Sequence, residues 1–364
     1  MYRFDPGKFT SSRDFGREHG ESFRSQIKEI AEIRMMLACD VGGFDSPKTV
    51  IKLAEAHLPL LKSFAPDLSD EIWGISEGAD CSIGDIILLN HYTDLRDIGP
   101  NIRNPLAPET EGGCTAIFAR TETGPVLAQT WDMHASATPY TLMIHVPEQN
   151  TPSGVKPEAW VMSMTGCVGM AGMSRTGVAL TINNLRCTDA HIGIIWPVLV
   201  RKLLQTKNAK TAYNLLMDAP LGSGHHYFIA DDKQAYGVEA SGTQKRTVYD
   251  GQDSHFLHTN HCFDQDIEKM TSVTEGSTTW SRYDRMHKLV TNTPPDSPEK
   301  IWSQLGAEGV CIDLSSKEDP HNVATCSAVL MNIAQKEVWS RGGCFMGLPP
   351  EISRFQFTEG DTHE

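Results

Sequence analysis

The spacing of apolar residues in this 364-residue chain changes once, near residue 114, and that change limits what the chain can fold into. Before it, apolar residues recur at helical steps. Phe23, Ile27, Ile30, Ile33 and Met36 mark a helix within 20–38, and Leu53, Ala54, His57, Leu60 and Leu61 mark another within 48–64. Leu68, Ile72, Ile75 and Ala79 mark a third over 67–78, opened by Pro66 and Asp67. Ser82 is the expected N-cap of a fourth reaching about Asn90, with Asp85 three residues on as a capping-box partner. A loop with Pro100, Pro105 and Pro108 follows. Short apolar runs then take over. Residues 115–119 and 126–131, separated by Glu122, Thr123, Gly124 and Pro125, read as a hairpin. Strand-like runs continue at 141–146, 159–164, 178–183, 227–230 and 235–239, interrupted by helical patterns at 196–205 and 209–217. Residues 326–333 and 338–341 read as a second hairpin, before Pro349 and an acidic tail. The chain has no internal repeat and no low-complexity linker. The expected class is α+β, with sheet packed on helices.

Charge and cysteine content narrow the function. Lys and Arg number 32 and Asp and Glu 46, a net charge of −14. With no dense Lys/Arg run, this argues against nucleic-acid and anionic-membrane partners. No apolar stretch approaches the ~20 residues of a membrane span. Residues 1–13 mix charges with Pro6 and Gly7 and show no secretory signal, so a cytoplasmic location is expected. The nine cysteines are widely spaced, with no CxxC pair. They read as nine reduced thiols, most of them small buried hydrophobes.

One of the nine stands apart. Glu111-Gly112-Gly113-Cys114-Thr115 places a nucleophilic residue after two glycines, at the start of the first strand. Cleavage between Gly113 and Cys114 would give Cys114 a free α-amino group. Its reference pKa of about 7.7–8.0 lies close to the ~8.5 of a thiol, so the amine could act as base for its own side chain. The same residues also fit a buried cysteine at a strand edge.

Ordered motifs along the chain add to this. They are Gly16-Arg17-Glu18-His19-Gly20; Gly74-Ile75-Ser76-Glu77-Gly78-Ala79 leading to Leu88-Leu89-Asn90 and Thr93; and Gly113-Cys114-Thr115, with Trp131-Asp132 following. Next come Gly177-Val178-Ala179-Leu180 with Asn183; His258-Thr259-Asn260-His261-Cys262; and Trp280, Arg282, Arg285 and Met286. In these the chain resembles the acyl-coenzyme A:6-aminopenicillanic acid acyltransferase (isopenicillin N acyltransferase-like) family. That family is peptidase family C45, within the N-terminal nucleophile (Ntn) hydrolases. The resemblance implies a four-layer αββα sandwich with an N-terminal helical segment. It implies Cys114 as autocleavage site and mature nucleophile, with 1–113 and 114–364 as α and β chains that stay associated in one structural domain. It places Asp132 where the family holds the nucleophile's amino group, Asn260 where a side-chain N–H joins the oxyanion hole, and Asn183 as a further lining residue. A preorganised N–H of that kind lowers an acyl-transfer barrier by roughly 2.7–4 kcal/mol. A hairpin-end carboxylate and a buried turn amide are the plain alternatives for Asp132 and Asn260.

The implied enzyme is a cysteine amidohydrolase or N-acyltransferase acting on a small N-acylated amine, peptide or related amide or thioester. Coenzyme A thioesters are among the candidate acyl donors. The chemistry calls for no cofactor and no metal, and a homo-oligomer is left open. One departure bears on substrate. His321-Asn322 stands where the penicillin-biosynthetic member has Ser-Arg, so a guanidinium suited to a carboxylate is missing there. The runs 133–139 and 162–173, rich in Met, Gly, Ser and Ala, could shape an acyl pocket or be ordinary packing. Two rival readings remain. In one, His255, His258 and His261, with His225-His226 and Cys262, form the site of a zinc hydrolase. In the other, the chain is a catalytically silent binding member of the family.

Overall fold

A computed structural model describes residues 1–100, 113–151, 154–347 and 351–357. The spacing change at residue 114 is the boundary between a helical layer and the sheets. After a short strand β1 (Tyr2–Phe4) come α1 (Ser12–Ser22), α2 (Arg24–Asp40), α3 (Pro47–Glu55), α4 (Leu58–Phe64), α5 (Pro66–Ala79) and α6 (Ile83–Ile98). The expected helix over 20–38 is two helices, broken at Phe23 (φ −126°, ψ 29°). The one over 48–64 breaks before Pro59, giving α3 and α4. Ser82 does cap α6, in a full capping box with Asp85. That helix runs past Asn90 to Ile98 through a non-helical His91 (φ −136°, ψ 20°). Nearly every residue of α6 is buried, so no amphipathic period marked its second half.

Two sheets follow. The first has eight strands, in the order β1, β4 (Thr141–Val146), β7 (Ala159–Met164), β8 (Ala171–Ser174), β9 (Ala179–Asn184), β10 (His225–Ala230), β11 (Ala235–Ala240) and β12 (Lys245–Tyr249). The second has six: β13 (His255–His258), β2 (Cys114–Thr121), β3 (Gly124–His134), β14 (Val323–Asn332), β15 (Glu337–Gly342) and β16 (Ser353–Gln356). A two-stranded ribbon pairs β5 (Gln149–Thr151) with β6 (Gly154–Lys156). Helices α7 (Trp196–Leu204), α8 (Ala209–Asp218), α9 (Gln265–Glu268), α10 (Thr279–Asn292) and α11 (Pro298–Leu305) complete the chain. Both expected hairpins are present, β2–β3 and β14–β15. Residues 101–112 and 358–364, which hold Glu111, Gly112 and the acidic tail, lie outside the described residues.

Side-chain alternation shows the layering. In β2 and β3, Phe118, Leu127 and Trp131 join one apolar core with the eight-stranded sheet and helices α1–α7. Their neighbours Ile117, Ala119, Val126 and Ala128 join a second core with Met286 and Val290 of α10 and Ile301, Trp302 and Leu305 of α11. The order is therefore helices, sheet, sheet, helices: the αββα sandwich. Among the described residues, no helix is long and apolar enough to cross a membrane.

The N-terminal helices meet the rest closely. An added Cβ would lie 2.0 Å from Glu71 O at Gly16, 2.4 Å from Ile75 O at Gly20, 2.1 Å from Arg13 O at Gly74 and 2.1 Å from Arg17 O at Gly78. Helices α1 and α5 thus touch backbone to backbone along four glycines. Their motif partners reach the turn between β7 and β8. His19 Nε2 accepts from Gly166 N–H (3.0 Å), and Asn90 donates to Gly166 O (2.9 Å) while accepting from Val168 N–H (3.0 Å). Arg201 of α7 forms a buried bidentate pair with Glu71 of α5, at 2.9 and 3.1 Å.

This packing can be tested at two places. Gly74→Ala should destabilise the protein by about 1–3 kcal/mol net, because overpacking against a backbone oxygen exceeds the ~1 kcal/mol gained in helix propensity; denaturant unfolding measures it, and an unchanged midpoint contradicts the close contact. The strand β1 is held by His145, which bonds Asp5 (2.7 Å) and Glu158 (2.8 Å). Burial lowers the imidazole pKa, but those two hydrogen bonds prevail and raise it. Burial likewise opposes Asp5, and the bonds from His145 and Arg3 hold its carboxyl low. A raised folded-state pKa on His145 stabilises below about 6.5 and is lost as pH rises through it. The stability difference between wild type and His145→Gln should therefore shrink from pH 6 to pH 9; a constant difference contradicts the pairing.

Candidate active site

Cys114 opens β2 opposite Trp131 of β3, at the end of the six-stranded sheet. Its thiol side faces the space between the sheets, with Trp131 and the first core. Gly113 precedes it where a Cβ would lie 2.1 Å from an Arg282 nitrogen and 2.7 Å from Asn260 Oδ1. A side chain there would displace Arg282 and Asn260 from these positions.

The Gly113–Cys114 peptide is bonded on both sides. Asp132 N–H donates to Gly113 O at 2.7 Å. Cys114 N–H donates to Asn260 Oδ1 at 2.8 Å. Arg282 of α10 donates to Cys114 O (2.8 Å), Thr115 Oγ1 (3.0 Å) and Asn260 Oδ1 (2.8 Å). Two donors on that oxygen fix the orientation of the Asn260 amide. Its Nδ2 then donates to Asn184 O at 2.9 Å. Asn183 Nδ2 donates to Cys114 O (3.1 Å) and His258 O (3.3 Å). The four residues singled out by sequence, Cys114, Asp132, Asn183 and Asn260, are brought together around the two peptide units that flank Cys114.

The electrostatics are those of a dry site. Asp132 is buried, accepts from Thr325 Oγ1 at 2.7 Å, and has Arg282 Nε 3.8 Å from its second oxygen. That second oxygen has no hydrogen-bond partner among the described residues. Burial pushes the carboxyl up to about 6, against Arg282 and the hydroxyls of Thr325 and Thr130. Burial, then the Asp132 charge, push the Cys114 thiol up to about 12 in the continuous chain. Arg282 and the backbone N–H groups of Asn184 and Asp132 pull the other way.

Behind Asn183 lies a buried stack. His226 Nδ1 bonds Asn183 Oδ1 (3.0 Å), and its ring lies 3.7 Å from that of His258 at 8°. His258 Nε2 bonds Glu239 Oε1 (2.9 Å), which also accepts from Phe263 N–H (2.7 Å). The histidine cluster is thus taken up by support. His258 is fully buried against Glu239, whereas His255 is exposed at the start of the same strand. His261 bonds the Thr259 and Thr279 hydroxyls (3.1 Å each) and stacks on Trp280 at 3.7 Å. Among the described residues, no group of three His, Cys, Asp or Glu could hold a metal ion.

His321 bonds Ser136 Oγ (2.7 Å), which bonds His134 Nδ1 (2.8 Å). An imidazole chain, not a guanidinium, occupies this position. The methionines of 162–173 are buried in the first core and Met133 nearly so. Sequence reasoning noted Arg282 only as part of a motif and missed Thr325, Asn184 and the His226–His258–Glu239 stack. Their roles exist only across 19–193 residues of separation, which no local pattern records.

Comparison with known proteins gives the chain its family. The family described as acyl-coenzyme A:6-aminopenicillanic acid acyl-transferase matches residues 119–343. The 40 kDa form of acyl-coenzyme A:6-aminopenicillanic-acid-acyltransferase of Emericella nidulans is 22% identical over 343 residues, covering 92% of this chain and 90% of that protein. Among solved structures, penicillin V acylase from Agrobacterium tumefaciens aligns with TM-score 0.47 and 14% identity, over 68% of this chain and 86% of that one. A mutant of conjugated bile acid hydrolase from Clostridium perfringens aligns with TM-score 0.49 and 13% identity, over 67% and 92%. With more than half of its length matched by one family, this chain belongs to the acyl-coenzyme A:6-aminopenicillanic acid acyl-transferase family.

Proposed function

We propose that this protein is a self-processing cysteine enzyme that carries acyl groups on Cys114. Acyl-group chemistry on small molecules comes with the family. The observation that carries the finer reading is the Gly113 carbonyl, held by Asp132 N–H at 2.7 Å one residue before a thiol.

In the first step Cys114 Sγ attacks the Gly113 carbonyl carbon. The carbonyl oxygen takes up negative charge where Asp132 N–H already donates to it. The C–N bond breaks, the Cys114 nitrogen takes a proton, and Gly113 is left as a thioester on Cys114. Water hydrolyses that thioester. The products are chains 1–113 and 114–364. The shared apolar core, the His19 and Asn90 bonds to 166–168 and the Arg201–Glu71 pair support their staying associated.

The released α-amine then serves as base for the thiol. Its reference pKa near 8 suits that task. Asp132 offers a carboxylate oxygen that has no hydrogen-bond partner among the described residues of the continuous chain, which fits a role in holding the new amine. Asn260 Nδ2 and the Asn184 N–H are the donors for the oxyanion of an incoming amide or thioester. Asn183 is a positioning residue: it holds the Cys114 carbonyl and is itself held by His226. The acyl-enzyme passes its acyl group to water or to an acceptor amine. The imidazole chain at His321 supports a substrate other than a penicillin-type carboxylate, within the class of small N-acylated amines and peptides.

Incubation with a panel of acyl amides and acyl thioesters, quenched in acid and digested with trypsin, tests this reading. The acyl mass is expected on the peptide 114–120, with Cys114 at its N-terminus. Acylation elsewhere, or none across the panel, contradicts it. Asn260→Ala should lower kcat by at least about 10²-fold; activity within tenfold of wild type removes Asn260 from the oxyanion site.

A further inference from the structure

Eight of the nine cysteines lie outside the proposed chemistry, and two of those eight lie against each other. Cys311 follows the turn after α11, and Cys344 follows the end of β15. They are 33 residues apart in sequence, and their sulfurs are 2.8 Å apart. The backbone on both sides is fixed. Cys311 N–H donates to Ala307 O (3.0 Å), Thr325 N–H donates to Ile312 O (2.8 Å), and Gly343 N–H donates to Cys326 O (2.7 Å). Phe345, next to Cys344, stacks on Trp302 with ring centres 5.3 Å apart. The two thiols are therefore held together by the fold on either side of them.

We propose that Cys311 and Cys344 are a peroxide-reactive dithiol, a modification site that closes to an intramolecular disulfide.

The two members differ in the way the reaction requires. Cys311 is fully buried, whereas Cys344 is partly exposed. The hydrogen bond shared by the two sulfurs lowers the Cys344 thiol to about 7 and raises Cys311. Elsewhere burial raises the thiols of Cys39, Cys81, Cys167, Cys187, Cys262 and Cys326, and Cys114 is raised as well. Cys344 is thus the thiol best placed to react first, because the thiolate is the reacting form. Its thiolate attacks one oxygen of the peroxide, the O–O bond breaks, and the leaving hydroxide takes a proton to become water. The Cys344 sulfenic acid is then attacked by Cys311 sulfur. The S–O bond breaks, and the second hydroxide leaves as water with the Cys311 proton. Two thiols and one peroxide give one disulfide and two waters.

The bond would join the turn after α11 to the end of the β14–β15 hairpin. Thr325, which donates to Asp132, sits between them: Ile312 N–H donates to its hydroxyl at 3.0 Å. The modification would close a 33-residue loop beside the carboxylate of the active site.

The test treats purified full-length protein with a small molar excess of hydrogen peroxide, alkylates it and maps its peptides. The expected product is a cross-linked pair of peptides carrying Cys311 and Cys344, two hydrogen atoms lighter than the sum and split by dithiothreitol. Oxidised wild type should melt about 5 °C higher than the reduced form. Cys344→Ser should give neither the cross-link nor the shift. Recovery of both cysteines alkylated overturns the proposal. So does Cys344 recovered as a sulfinic acid beside a free Cys311, or a melting shift that persists in Cys344→Ser.

Discussion

Arg282 lies in α10, is 1% exposed, and directs its guanidinium at the backbone of Cys114 and at two of the side chains around it. It holds Cys114 O, Thr115 Oγ1 and Asn260 Oδ1 with one fork of donors and stands 3.8 Å from Asp132. A buried guanidinium is tolerable only when its donors are met and a negative charge is near. Here meeting those donors draws α10, β2, β3 and the Asn260 turn to one point. The absence of a side chain at Gly113 is part of the same arrangement, because any Cβ there would collide with the guanidinium.

The N-terminal helices serve this point from the far side of the sandwich. Motif residues that look catalytic by their type are, in the structure, a clamp. His19 is buried, and burial, with Arg201 adding, holds its pKa down to about 3, so it is a neutral ring that can accept from Gly166 N–H. Asn90 meets both faces of the same turn. The glycines of α1 and α5 let the two helices approach so that His19 reaches that turn. Packing and hydrogen bonds bind this segment independently of chain continuity, as the proposed cut at its junction with the sheets requires.

Much of this was legible in sequence where one periodicity ruled a segment. The β2–β3 hairpin, the strands at 141–146 and 159–164 and the Ser82 cap emerged where apolar spacing and turn residues marked them. Legibility failed where burial is complete on all sides. In β3 ten of eleven residues are buried, so alternation could not show which face carries Asp132. In α6 the same saturation concealed the second half beyond His91. At the site, the order of motifs brought Cys114, Asp132, Asn183 and Asn260 into view, but not the direction of each hydrogen bond. The Asn260 amide turns its oxygen to Cys114 N–H because Arg282 shares that oxygen, a fact of three dimensions only. Sequence likewise set Cys114 apart but left the other eight thiols alike. Folding pairs two of those eight, Cys311 and Cys344.

The proposed function requires the protein to break the bond before Cys114 by itself. Intact mass of the purified protein under denaturing conditions, compared with Cys114→Ala, tests it most directly. The account predicts that wild type gives two species, 1–113 and 114–364, whose masses sum to the 40.2 kDa chain plus one water, while the variant stays whole. A wild type that remains a single 40.2 kDa chain, indistinguishable from Cys114→Ala apart from the substitution, would contradict it.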